Sequence, residues 1–180
     1  LIFSGMIETP RLILRRWRDS DRPAFAAICA DPEVMQWLGG VMTREPADQR
    51  IDRVEATFEQ VGYGRFLIER KADGAFLGWC GVMPCHESVT PIAGQPEIGW
   101  RLIRAAWDEG FATEAARAAL DDAFSRVGLP EVLAYTTKAN LRSQAVMQRL
   151  GLSREPQRDF DFPNTPEGED PKTVVYVAYP

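Results

Sequence analysis

Apolar positions along the chain fall into short runs that read as strands and longer periodic stretches that read as helices. The runs at 12–17, 65–70, 76–83, 97–103, 132–137 and 173–179 have strand character. Ala72-Asp73-Gly74 lies between the second and third runs and is turn chemistry, so those two predict a hairpin. Gly99 inside the fourth run predicts a bulge or a close backbone approach. Helical spacing follows the polar cluster Asp19-Ser20-Asp21, where Phe25, Ala26, Ile28 and Cys29 give a short helix an apolar side. Asp31-Pro32 reads as a cap with proline at the first helical position. Ile51, Val54 and Phe58 mark a surface helix over 43–61, and 88–96 reads as a loop. Ala112, Ala116, Leu120, Phe124 and Val127 predict a long amphipathic helix that stops at Gly128. Asn140 caps a last helix carrying Leu141, Ala145, Val146 and Leu150, closed by Gly151. Strands and helices alternate in the second half, which predicts a mixed α/β fold with a partly parallel sheet.

Composition narrows the class. The length of 180 residues suits one domain, placed at 6–180, with 1–5 before Met6 as an expression remnant or alternative start. A net charge of −5 argues against nucleic acid and fits an amine or cationic partner. Cys29, Cys80 and Cys85 are odd in number and lack a C-x-x-C pair, which disfavours a disulfide framework or a structural zinc site and fits a reducing cytoplasm. His86 is the single histidine, which removes the usual metal and Ser-His-Asp schemes; it reads as a loop residue without a special task. Nothing approaches membrane-spanning length, and the residues before Met6 are too few for a signal peptide.

The most informative stretch is Trp100-Arg101-Leu102-Ile103-Arg104-Ala105-Ala106-Trp107-Asp108-Glu109-Gly110-Phe111-Ala112-Thr113-Glu114-Ala115. A strand runs into a tight turn that opens directly into an alanine-rich helix. Such a turn points unpaired N–H groups and the positive end of the helix dipole at whatever lies in front of it, and a phosphate is the natural occupant. The turn has no G-K-[ST], so a nucleotide hydrolase with a P-loop is a poor reading.

Four sequence words, in this order, resemble the GCN5-related N-acetyltransferase (GNAT) superfamily, and within it the ribosomal-protein N-terminal acetyltransferases. They are Glu8-Thr9-Pro10-Arg11-Leu12-Ile13-Leu14-Arg15, Glu97-Ile98-Gly99-Trp100, Trp107-Asp108-Glu109-Gly110-Phe111-Ala112-Thr113-Glu114-Ala115, and Asn140-Leu141-Arg142-Ser143 with Leu150-Gly151-Leu152. The resemblance implies a mostly antiparallel twisted sheet of about six to seven strands, flanked by helices, with a splayed parallel pair forming an acetyl-CoA cleft. It implies acetyl-CoA as donor, no metal, and an amine acceptor, either a protein N-terminus or a small molecule, in a monomer or homodimer. Trp100, Arg101 and Leu102 would bind pantetheine through the backbone. Trp107, Asp108, Glu109, Gly110, Phe111, Ala112 and Thr113 would hold the pyrophosphate, with Asn140 and Ser143 on the pantetheine arm. Two departures stand out. Relatives commonly place glycine and a basic or neutral residue where this chain has Asp108 and Glu109, whose carboxylates would repel a pyrophosphate unless they face solvent. Relatives also tend to carry Asp-Phe-Asp-His-Pro where this chain has Asp159-Phe160-Asp161-Phe162-Pro163.

Acetyl transfer to an amine by direct attack, through a tetrahedral intermediate, needs a base for the ammonium proton, N–H donors for the oxyanion and a hydrogen-bond donor for the leaving thiolate. Glu97, at the start of the pantetheine strand, is the candidate base, against a solvated strand-edge carboxylate. Ser143, one turn after the capping Asn140, is the candidate donor to sulfur, against a first-turn serine satisfied by backbone. Trp17, Trp37 and Trp79 read as packing residues, whereas Trp100 and Trp107 flank the cofactor turn. The acidic segment 155–172 reads as a solvated loop or as a lip that draws in a cationic amine. The leading function is an acetyl-CoA-dependent N-acetyltransferase. The alternative is a non-catalytic CoA or acetyl-CoA sensor on the same fold.

Overall fold

Nine strands form a single sheet in the computed structural model, which describes residues 5–163, 165 and 167–180. Leu1–Ser4, most of the segment read as a remnant, lie outside the described residues. In chain order the elements are β1 (Met6–Glu8), β2 (Leu12–Arg15), α1 (Arg22–Cys29), α2 (Pro32–Met35), α3 (Arg44–Val61), β3 (Arg65–Arg70), β4 (Phe76–Pro84), β5 (Pro96–Leu102), α4 (Phe111–Asp122), β6 (Val132–Thr137), α5 (Leu141–Arg149), β7 (Ser153–Arg154), β8 (Phe160–Asp161) and β9 (Lys172–Ala178). The sheet order is β1-β2-β3-β4-β5-β6-β9-β7, with β8 also on β9. All six expected strands are present. The three additional ones are two or three residues long, and their pairing partners rather than their own pattern make them strands.

Among the described residues only β5 and β6 run parallel, joined by α4 as a crossover. The alternation in the second half suggested more, but after α5 the chain passes through β7 and β8 and returns antiparallel to β6 as β9. The parallel pair is in register at one position, Glu97 opposite Leu133. Beyond it the strands run on to Leu102 and Thr137 with no further pair, so the sheet opens into a wedge at its centre.

Helices cover both faces. In α3, Ala47, Ile51, Val54 and Phe58 form the buried stripe that the spacing predicts. In α4, Ala115, Ala116 and Ala119 are buried, and these small side chains let the helix lie close on the sheet. The expected run of α4 to Val127 holds in part: the helix widens to a π-type turn over Ala123–Val127. There the Ser125 hydroxyl donates to the Asp121 carbonyl at 2.6 Å, in competition with the backbone ladder. Asp31 caps α2 as expected, accepting from the N–H groups of Glu33 and Val34. Asp21 does not cap α1. Its carboxylate instead accepts from the Arg15 guanidinium at 2.8 and 3.0 Å and from the Arg18 N–H at 2.7 Å.

Gly78 is where the sheet is tightest. Its φ of 138° lies outside the range open to other residues, and a Cβ there would stand 2.0 Å from the Arg101 carbonyl oxygen. The β4 backbone thereby presses on the part of β5 that borders the wedge.

Candidate active site

Two structural decisions build the site. The first is the turn between β5 and α4. Gly110 caps α4 in the left-handed conformation, φ 78°, where glycine is unstrained. Asp108 shares that conformation at φ 63° and is the one non-glycine residue with positive φ among the described residues. With the chain so bent, the N–H groups of residues 108–113 find no acceptor among the described residues. The turn is therefore a concave array of donors at a helix N-terminus. Arg11 fixes it from behind, donating to the Glu109 carbonyl at 2.9 Å and pairing with Glu114 at 2.7 Å. Burial works to raise the Glu114 carboxyl. Hydrogen bonds from the Thr9 hydroxyl and from the Arg11 N–H and guanidinium outweigh it and hold the group below the usual carboxylate range.

The second decision is the wedge, whose far wall is the start of α5. Asn140 Oδ1 accepts from the Ser143 N–H at 3.2 Å, the helix cap expected from sequence. Its Nδ2 donates to Thr136 Oγ1 at 3.0 Å and to Ser143 Oγ at 3.2 Å. Ser143 Oγ thus accepts from Asn140, and its own proton has no acceptor among the described residues.

Between these walls lies a cleft of about 1040 Å³, at the upper end of the size of ligand pockets. Trp100, Arg101, Leu102, Trp107, Asp108, Gly110, Phe111, Ala112, Thr113, Asn140 and Ser143 all border it. Glu97 and Glu109 do not; the Glu109 side chain is exposed and its carbonyl serves Arg11. The Asp108 carboxylate, 82% exposed, turns to Arg142 at 2.9 Å, and Arg142 lies 4.5 Å over the Trp107 ring. Both carboxylates thus avoid the donor array, the condition set by the sequence.

Glu97 stands at the closed end of the wedge, buried, its Oε1 accepting from Arg65 Nη2. Oε2 has no partner among the described residues. Glu97, Gly99 and Arg101 share one face of β5 with Trp79 of β4, and Arg65 of β3 reaches the same place. Gly99 does mark a close approach: a Cβ there would lie 3.2 Å from the Trp79 ring. Tyr135 shares this face of β6, and burial pushes its phenol well above the usual range, so it stays neutral.

Several participants were invisible to sequence reading. Trp37 was expected to pack but is partly exposed and borders the cleft. Trp79 is buried, yet its ring carries the guanidinium groups of Arg65 at 4.6 Å and Arg101 at 5.3 Å. The acidic segment is paired in part. Asp159 pairs with Arg154, Asp161 with Lys172, and Glu155 accepts from Tyr179, whereas Glu167, Glu169 and Asp170 are exposed. Phe162, where relatives place histidine, stacks at 6.4 Å from Tyr135. His86 is a loop residue bonded to Ser88, as expected. The described residues hold no cluster suited to a metal and no helix long and apolar enough to cross a membrane.

A phosphate-type donor array at one end of a wedge in a mixed sheet suits a long ligand that carries a pyrophosphate. Comparison with known proteins gives the family. The Acetyltransferase (GNAT) domain matches residues 11–153, and the chain belongs to that family. It is an N-acetyltransferase that uses acetyl-CoA. It is 30% identical to the uncharacterized protein YkkB of Bacillus subtilis over 146 residues, covering 80% of this chain and 83% of that one. The FsC-acetyl coenzyme A-N(2)-transacetylase of Aspergillus fumigatus is 28% identical over 176 residues, 94% of this chain and 74% of that one. The crystal structure of an acetyltransferase from Agrobacterium tumefaciens superposes with a TM-score of 0.81 at 28% identity, over 100% of this chain and 98% of that one.

Proposed function

We propose that the protein acetylates a primary amine by direct attack on the thioester, with Glu97 as base and Ser143 as donor to the departing sulfur. The run of unpaired N–H groups at residues 108–113, opening on the cleft, carries this reading. Those donors suit a pyrophosphate, and the edge of β5 from Trp100 to Leu102, left unpaired by β6 though the Leu102 carbonyl accepts from Trp107 Nε1 at 3.0 Å, suits the amides of the pantetheine arm. The thioester then falls near the closed end of the wedge, between Glu97 and Ser143. Glu97, through Oε2 or a water on it, takes the ammonium proton. The amine nitrogen bonds to the carbonyl carbon; as the carbon–sulfur bond then breaks, the second proton of that nitrogen passes to the departing sulfur, which the Ser143 hydroxyl hydrogen-bonds, leaving the amide and the free thiol. The three cysteines are buried thiols without disulfides, which suits a cytoplasmic setting.

Ser143→Ala is expected to lower kcat about tenfold, with acetyl-CoA affinity nearly unchanged, because the lost donor acts on developing charge. A thiol-release assay beside calorimetric titration checks this; normal turnover would remove Ser143 from the mechanism. Asp108→Gly is expected to tighten acetyl-CoA about two- to fivefold at low salt, less at high salt, by removing an exposed carboxylate from the mouth of the site. It also relieves a left-handed backbone at a residue with a Cβ, worth about 1 kcal/mol of stability. Unchanged affinity at every salt concentration would mean that Arg142 already cancels the Asp108 charge.

The deciding experiment is thiol release against a panel of amines, with thermal shift by acetyl-CoA alongside. Turnover on an amine supports the enzyme reading. A shift without turnover on any amine favours a CoA sensor.

A further inference from the structure

On the face of the sheet under α1 and α3, four arginines converge with one carboxylate among them. Arg50 and Arg53 come from α3, Arg65 from β3 and Arg101 from β5, and with Trp17, Phe25 and Trp79 the first three line a cavity of about 20 Å³. Arg101 is 4% exposed and borders both this group and the cofactor cleft, through the Trp79 ring on one side and the cleft wall on the other. Glu97 is the single carboxylate that acts on the group, and it is committed to Arg65. The five carboxylates of α3 are engaged elsewhere: Glu45 accepts from Gln49, Glu55 and Glu59 pair with Arg16, and Asp48 and Asp52 with Arg22. Arg50 and Arg53 make no ion pair or hydrogen bond among the described residues, and Arg101 offers only Nη1 to Cys29 Sγ at 3.3 Å. Burial and the neighbouring arginines lower the Arg50 guanidinium below its usual range, and burial first, with Arg50 and Arg65, pushes Arg101 down to about 10.

Three polar atoms here are buried without a partner: Arg65 Nε, Arg101 Nε and Trp79 Nε1. Buried cations without counter-charge are costly, and buried donors without acceptors add to that cost. An excess of positive charge with idle donors is what a site for an anion looks like before the anion arrives. The cavity has room for about one water-sized group, so an oxygen of an anion fits there and a whole ligand does not. Arg65, which lines it, bonds Glu97, the group assigned to receive the proton of the acceptor amine.

We propose that this pocket seats an anionic group of the acceptor, so that the amine acetylated is one that also carries a carboxylate or a phosphate. The inference rests on the acetyltransferase reading of the cleft and adds the acceptor class to it. It reverses the expectation of a cationic amine drawn by an acidic lip. Arg53, exposed at the rim, draws the anion in; Arg50 and Arg65, which line the cavity, hold it beside Trp79.

The test has a catalytic and a binding arm. In thiol release, matched acceptors differ only in charge: amino acids against their amides, aminoalkyl phosphates against the corresponding alcohols, and peptides with acidic against neutral first residues. The anionic member of at least one pair is expected to show kcat/KM at least tenfold higher, and which pair responds tells a free amino acid or phosphate from an acidic peptide. In the binding arm, the CoA-saturated protein is titrated with N-acetyl amino acids and their amides. The acids are expected to bind at least tenfold more tightly, and Arg50→Gln and Arg53→Gln to abolish the difference with CoA affinity intact. The ligand-free Arg50→Gln protein is expected to melt higher, since it sheds an uncompensated cation. Equal binding of acid and amide, or a preference that survives both substitutions, overturns the proposal. If nothing is acetylated while the acids bind selectively, the catalytic reading fails and the anion pocket stands.

Discussion

Glu97→Gln is expected to reduce kcat by about 10² to 10³-fold while the affinity for acetyl-CoA stays within about twofold. The substitution keeps the shape of the side chain and its contact with Arg65 and removes only the capacity to hold a proton. The loss must fall on kcat and leave the acetyl-CoA KM in place, because the carboxylate acts on the amine proton and not on the donor. That split separates chemistry from structure. Among the described residues Glu97 is also the lone counter-charge among Arg50, Arg53, Arg65 and Arg101, so its loss raises the local positive charge and lowers stability. A purely structural role would lower the melting temperature and raise the acceptor KM but leave kcat in place. Turnover equal to the native protein would sink Glu97 as the base.

Gly78→Ala is the substitution with the largest expected effect on stability, about 4 kcal/mol, which corresponds to a fall in melting temperature on the order of 10 °C for a chain of this size. A methyl group would meet the Arg101 carbonyl oxygen at 2.0 Å and the Leu102 Cα at 2.8 Å, both backbone atoms that move only if β5 moves. The φ of 138° adds strain for any residue with a Cβ. Since β5 forms one wall of the wedge, acetyl-CoA affinity is expected to fall as well. Chemical denaturation with calorimetric titration of the folded fraction checks both. A change below about 1 kcal/mol would mean that β4 and β5 separate there without cost.

The parts of the site that depend on local chemistry were legible from the chain alone. Gly110 before an alanine-rich helix predicts the donor array, and Asn140 before Leu141 predicts the cap, because both are consequences of a few neighbouring residues. The central strands were legible for the same reason. The two-residue strands Ser153–Arg154 and Phe160–Asp161 were not, since they exist only by pairing with β9. The arginine group was hidden because arginine is ordinarily a surface residue, and four of them meet only when α3 lies over β3 and β5. One signal was present: Arg50 sits on the apolar stripe of its helix, three residues after Ala47 and four before Val54. An arginine there is either a snorkelling surface residue or a buried one with a task, and only tertiary structure decides between them.

The single register pair between β5 and β6 has a bearing on solubility too. A sheet that opens at its centre gains two internal edges, with backbone groups as ready to recruit a foreign strand as those at any outer margin. Outer edges are guarded by charge or by brevity, as with the three-residue β1 and the two-residue β7. The inner edges have neither defence. They are recessed between the first turns of α4 and α5, where a slender unbranched chain fits and the strand of another folded domain does not. Depth alone thus lets a permanently unzipped seam persist without seeding aggregation.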